Sequence, residues 1–267
     1  MEFDPLACLR IFFCLSVGLI IGSFLNVVVI RLPRGQSLVK PRSRCVECKK
    51  PIRWWDNIPL VSYFILGGKC RQCGQEISIR YPVIEALTAL LFIADAMRFG
   101  WSPAILIFRD WPFLALLISI TFIDLEHRVI PDQLSIGGLI LGIATCWLLP
   151  DFSLLESVGG AVLGFGIFYS LAWFYHKLRG RMGLGGGDIK LLAMLGAFLG
   201  PMGVLATICV SSIFGSVVGM VWARSSGKSG KADMMQFAIP FGPFLVVGAL
   251  LYYFLGDLIW YLYTNRI

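Results

Sequence analysis

Residues 183–200 read GLGGGDIKLLAMLGAFLG: four glycines and an aspartate, then a dozen residues carrying one charge, closed by the Gly200-Pro201 pair. Beyond that pair, residues 203–223 are apolar and uncharged. An acidic group at the edge of so apolar a run is costly to hold in hydrocarbon, so Asp188 asks for a use. Taken alone, 189–200 is shorter than the roughly 20 residues that cross a bilayer. It must borrow the glycine-rich turn before it or the Gly200-Pro201 turn after it.

Working outward, comparable stretches lie near 8–30, 82–98, 104–123, 134–149, 157–175 and 239–263, so about eight spans are expected. A mean hydropathy of +0.79 and 57% hydrophobic residues place the chain outside the soluble class. The expected fold class is an all-α polytopic membrane protein. The first stretch follows acidic Glu2 and Asp4 and lacks a basic leading region, which reads as a retained helix and not a removable signal peptide. With the N-terminus outside, the inside loops are 31–81, 124–133, 176–188 and 224–238. These hold nearly all the Lys and Arg, whereas few beyond Arg98 and Arg109 lie opposite. The net charge of +7 is then accounted for by topology and contact with anionic membrane lipid, with no nucleic-acid signal.

The first two spans are separated by a polar segment, 31–81, which carries Cys45-x-x-Cys48 and Cys70-x-x-Cys73 about twenty residues apart. Two such pairs match a closed, structural four-thiolate zinc site. The rival readings are disulfides or redox thiols, which a reducing cytosolic placement disfavours. Lys49, Lys50, Lys69 and Arg71 flank the cysteines and favour thiolates. A domain this short needs its metal to fold. Cys8, Cys14, Cys146 and Cys209 lie in apolar stretches and read as small hydrophobes.

Asp124 ends the third span in SITFIDLEHRVIPDQLS (119–135), at the same predicted membrane face as Asp188. Gly183, Gly185, Gly186 and Gly187 permit backbone conformations closed to other residues and let an extended substrate come close. Two neighbouring carboxylates resist ionising together, so one can activate water while its protonated partner polarises a carbonyl. The same residues also admit a plainer reading, with Asp188 as a helix cap and Asp124 facing headgroups.

Five pieces in order carry a resemblance over nearly the whole chain: GSFLNVVVIRLP (22–33), the CxxC pairs around WWDNIPLVSY, RYPVIE (80–85), FIDLEHRVIPDQLS (122–135) and GLGGGDIKLLAMLGAFLG (183–200). Together they are similar to the type IV prepilin peptidases, aspartyl peptidases of the bacterial inner membrane. The resemblance implies removal of the basic leader of type IV prepilins or pilin-like secretion subunits, commonly between glycine and phenylalanine, at the cytoplasmic face. It implies Asp124 and Asp188 as the catalytic pair. Because Cys45, Cys48, Cys70 and Cys73 are all present, it also implies methylation of the new N-terminus with S-adenosylmethionine. Family members without the cysteine domain are peptidases only.

The expected organisation is a first helix at 1–30, a zinc-binding domain tied to methylation at 31–81 and a peptidase domain at 82–267. Gly68 and Lys69 are candidates for the methyl-donor site, the glycine by allowing close approach and the lysine by meeting a carboxylate, against a plainer role beside the knuckle. Asn26, Glu85 and Asp132 read as structural, and His127 receives no role. Asp56, Glu126 and Asp132 offer acidic groups to a basic leader. Two rival functions are a transporter, which predicts internal repeats that this sequence lacks, and a non-catalytic assembly protein, which predicts no phenotype from either aspartate.

Overall fold

The computed structural model describes residues 5–180, 184–225 and 240–264. Its packing divides the chain into two units, Met1–Ser119 and Ile120–Ile267, with the boundary inside one helix.

In the first unit, α1 (Pro5–Arg31) packs along α3 (Arg80–Phe99). The contact is close because α1 presents Gly18 and Gly22. A Cβ on Gly18 would lie 2.5 Å from the Ala89 Cα, and one on Gly22 would lie 2.7 Å from the Glu85 Cα. Small residues one turn apart are how membrane helices bring backbones together. Asn26 adds a polar tie, its Nδ2 donating to the Tyr81 carbonyl at 3.2 Å. Pro33 and the left-handed Gly35 (φ 63°) end the α1 direction.

Between these helices lies the cysteine segment, which includes the short α2 (Val61–Ile65). The segment is built from two knuckles with the same hydrogen-bond offsets. Cys45 N–H donates to Lys50 O and Lys49 N–H to Cys45 O; Cys70 N–H donates to Gln75 O and Gly74 N–H to Cys70 O. The fourth residue after each leading cysteine is left-handed, Lys49 at φ 59° and Gly74 at φ 71°. Arg71 reaches out of the second knuckle to Asp56, 2.8 Å away, and its guanidinium holds the Asp56 carboxyl below the usual range. The Leu60 N–H donates to Glu85 Oε2 at 2.8 Å, tying the loop before α2 to α3.

Helix α4 (Pro103–His127) winds through a π turn at Leu106–Asp110. Arg109, expected beside the outer loop, is buried within this helix and paired with Asp110 at 3.2 Å. Trp111 stacks on Phe92 of α3 at 4.7 Å.

The second unit takes the end of α4, then α5 (Asp132–Thr145), α6 (Leu154–Arg179), α7 (Gly186–Ser225) and α8 (Gly242–Thr264). Helix α7 is the centre of the packing. Its Leu191, Leu192, Met194 and Leu195 are fully buried, and α5, α6 and α8 all pack against it. The α6 crossing is a backbone contact, since Gly160 and Gly196 each face the other's main chain and Gly164 faces the Leu192 carbonyl. Ser157 Oγ donates to Ala197 O across it at 2.8 Å. Helix α6 begins with a capping box between Ser153 and Glu156 and ends at left-handed Gly180. The predicted spans 189–200 and 203–223 are two limbs of α7, meeting at Gly200 (φ 70°, ψ −177°) before Pro201.

Helix covers most of each predicted stretch among the described residues. Among the described residues, four helices are long and apolar enough to cross a membrane: Pro5–Arg34, Pro103–His127, Leu154–Arg179 and Gly186–Trp222. Asp132–Leu148 and Gly242–Leu258 are shorter apolar helices. Helix α3 is outside both groups because it carries Arg80, Glu85, Asp95 and Arg98. Large apolar side chains such as Phe108, Ile140, Val162 and Val217 stay exposed on these helices, the surface that lipid accepts.

Candidate active site

Asp124 sits in the last turn of α4, where Arg128 in left-handed conformation (φ 54°) turns the chain. It is 6% exposed, and its Oδ2 accepts the Gly242 N–H at 3.1 Å. Gly242 opens α8 and must be glycine, because a Cβ there would lie 2.6 Å from that same oxygen. Asp188 lies half-buried in the first turn of α7, following Gly185, Gly186 and Gly187. Its N–H donates to Gly185 O at 3.1 Å.

Ile130 joins the two positions. Built Cβ atoms at Gly187 and Gly242 would come 2.9 Å and 3.4 Å from its side chain, so it fills the space between the glycine beside Asp188 and the glycine bonded to Asp124. The two carboxylates stand within coulombic reach of each other. The sequence-predicted pair is therefore brought together, with backbone glycines around it and no bulky side chain at Gly185 or Gly186. Gly183 lies outside the described residues.

Sequence reasoning missed Gly242 and Ile130. The Pro240-Phe241-Gly242-Pro243 run carried a helix-start signal, a proline just inside the first turn, but nothing in it pointed to an aspartate 118 residues earlier. Asp132 does more than make a turn: it accepts the Lys190 ammonium at 2.7 Å and ties the start of α5 to the start of α7. Asp132 and Asp56 thus already hold internal cations, Lys190 and Arg71, with which a basic leader must compete.

Within the first unit, the four predicted thiols do converge. The Sγ atoms of Cys45, Cys48, Cys70 and Cys73 all lie within 4.8 Å of one another, and Cys45 and Cys73 are 3.8 Å apart. A tetrahedral zinc with ligands at about 2.3 Å has edges of about 3.8 Å, so the thiols fit that ion. The N–H groups of Gln72 and Cys73 draw the Cys70 thiol down to about 7, whereas against the lowering pull of the Gln75 N–H, burial and the three other thiols push Cys73 up to about 11. Gly68 and Lys69 lead into the second knuckle. Gly68 is left-handed (φ 69°), and a Cβ there would meet the Tyr63 hydroxyl at 3.1 Å, which gives it a local structural reason. Asn26 and Glu85 bond to Tyr81 and Leu60, the structural ties read from sequence.

Fold and site together define a multi-pass helical membrane protein with a paired-aspartate centre in one unit and a four-cysteine knuckle segment in the other. The model of the bacterial peptidase A24 N-terminal domain matches residues 16–99, and that of the type IV leader peptidase family matches residues 111–220. The chain is 40% identical to the prepilin leader peptidase/N-methyltransferase of Myxococcus xanthus over 85% of this chain and 67% of that one. It is 38% identical to the protein of the same description from Neisseria gonorrhoeae, over 91% and 90% of the two chains. The Pseudomonas aeruginosa relative is 37% identical over 90% and 89%. No solved structure matches the chain. The chain belongs to the type IV leader peptidase family.

Proposed function

We propose that Asp124 and Asp188 hydrolyse the bond joining the basic leader of a type IV prepilin, or of a pilin-like secretion subunit, to its hydrophobic helix. The chain is a prepilin peptidase with N-methyltransferase activity, as its family and relatives are. The observation that supports the residue assignment is the convergence of Asp124, Gly242, Ile130, Gly187 and Asp188. One carboxylate takes a proton from water as that water attacks the scissile carbonyl. The other, protonated, donates to the carbonyl oxygen and then helps the amine leave. The Gly242 N–H fixes one Asp124 oxygen and so orients the carboxylate. The bare backbone of Gly185 and Gly186 lets an extended substrate lie alongside.

The reading includes eight spans with the N-terminus outside, the aspartates at the cytoplasmic face of a bacterial inner membrane, and anionic lipid around the basic loops. It divides the chain into a first helix at 1–30, a cysteine domain at 31–81 serving methylation and a peptidase domain at 82–267. Cys45, Cys48, Cys70 and Cys73 hold a structural zinc, leaving no open coordination position. S-adenosylmethionine supplies the methyl group, with Lys69 beside Gly68 as the cation offered to its carboxylate.

The test is cleavage of a prepilin by the purified chain in detergent. Asp124→Asn and Asp188→Asn each lower the rate by about 10³-fold or more while the protein remains folded. Cleavage near the wild-type rate in both variants overturns the assignment.

A further inference from the structure

Between the two knuckles of the first unit, residues 57–68 read NIPLVSYFILGG and carry no charge, although the first knuckle beside them holds Arg44, Lys49, Lys50 and Arg53. The apolar side chains here are not turned inward. Phe64 is 74% exposed and Ile65 73%, with Val61 half-exposed on the same short helix α2 and Trp54 76% exposed just before it. A cluster of this kind asks for a cover.

The depth of the segment says what that cover is. Helices α1 and α3 run antiparallel, with Gly18 against Ala89, Gly22 against Glu85 and Asn26 bonded to Tyr81. Residues 11–30 of α1 are uncharged, a run of the length that crosses a hydrocarbon layer of about 30 Å, and Arg31 stands at its edge. Asn26 and Gly22 precede Arg31 by about 7 and 13 Å along the helix. Glu85 leans toward the start of α3, as helical side chains do, and accepts the Leu60 N–H at 2.8 Å. The chain at Leu60 is thereby drawn down beside the stretch from Asn26 to Gly22, below the level of Arg31.

The backbone there is closed on itself. Leu60 makes a γ turn (φ 59°, ψ −52°), with the Val61 N–H donating to Pro59 O at 2.6 Å. The Ser62 N–H donates to Ile58 O, the Leu66 N–H to Ser62 O and the Gly68 N–H to Tyr63 O. The Ser62 hydroxyl donates to the same Ile58 carbonyl at 2.6 Å. A loop in water can leave such groups to the solvent, whereas a loop against lipid must satisfy them internally.

We propose that residues 57–68 form an interfacial arm, seated where headgroups meet acyl chains, with Val61, Phe64 and Ile65 covered by the chains of the surrounding phospholipid. Interfacial helices sink their apolar side about 5–10 Å into that boundary, which is the depth at which Glu85 holds Leu60. Trp54 and Trp55, edge to face at 5.4 Å, stand at the entry to the arm, as aromatic residues do at membrane–water interfaces. The Arg53 guanidinium, 5.4 Å from the centre of the Trp55 ring, brings a cation to the same level for a lipid phosphate. The cysteine segment is then held to the membrane surface at its middle as well as at its two ends. The inference makes no use of the aspartate pair, of zinc or of a methyl donor, so its failure leaves the proposed function untouched.

The experiment introduces the photoreactive amino acid p-benzoylphenylalanine into the full chain, one position at a time, at Phe64, at Ile65 and at Val46. Val46 is the control, since it is 70% exposed but lies between Cys45 and Glu47 in the first knuckle. Each protein is placed in vesicles of phosphatidylethanolamine and phosphatidylglycerol and irradiated, and the adducts are identified by mass spectrometry. Positions 64 and 65 should carry phospholipid adducts about tenfold or more above position 46. Two test positions are used so that poor accumulation of one variant leaves the other to decide.

A smaller excess of lipid adducts over position 46 overturns the proposal. So do adducts at 64 and 65 that join two copies of the chain in place of lipid, which would make this face a contact between proteins.

Discussion

At the residue scale, the aspartate centre depends on what is missing as much as on what is present. Gly242 gives Asp124 a hydrogen bond because it has no side chain, and a methyl group there would sit 2.6 Å from the bonded oxygen. Gly242→Ala should therefore lower cleavage by at least tenfold with a melting temperature close to wild type, read by prepilin cleavage beside thermal unfolding in detergent. Lys49 shows the opposite case, a side chain where glycine would serve better. It holds the left-handed position that Gly74 holds in the twin knuckle. Lys49→Gly should remove roughly 1 kcal/mol of backbone strain. The check is slower zinc release to a chelator than in the wild type. The aspartates themselves were legible in the sequence because charge at the edge of an apolar run is rare enough to stand out. Gly242 and Ile130 were not, since a glycine before proline and an isoleucine in a loop announce nothing until the chain has folded back on itself.

At the element scale, glycines set how closely helices approach. Gly160 and Gly196 face each other's backbone across the α6 and α7 crossing, whereas a Cβ on Gly166, also on α6, would meet nothing within 4 Å. Gly160→Ala should cost about 1–3 kcal/mol through overpacking, and Gly166→Ala should cost nothing. Melting of the two variants in one detergent checks the contrast, and equal loss in both would show that the crossing tolerates widening. Helix positions were readable from hydropathy alone, but the continuity of α7 through Gly200 was not. A Gly-Pro pair marks a break equally well whether the next limb turns away or carries on. The burial of Arg109 was hidden for a related reason: its partner Asp110 is its sequence neighbour, and only the π turn at Leu106–Asp110 places both inside the helix.

At the scale of the whole molecule, the proposed function assigns the two activities to different sets of residues. Cys45→Ser should abolish methylation, at least tenfold below wild type by mass spectrometry of the product, while cleavage stays within about twofold; loss of both together would mean that the knuckles hold up the peptidase too. The cysteine segment also leaves and rejoins the helices at a single place. Arg31 ends α1 and Arg80 begins α3, and the Asn26 bond to Tyr81 together with the Gly22 contact on Glu85 hold those ends side by side. A linker of about six residues, which reaches up to about 20 Å, can bridge such a gap. Replacing residues 35–78 with one should leave a shortened chain that inserts and cleaves but never methylates. The knuckle segment is in this sense a cassette: its removal takes the Leu60 bond from Glu85 but leaves α1 against α3, so a lineage could discard it in one deletion and keep a working protease.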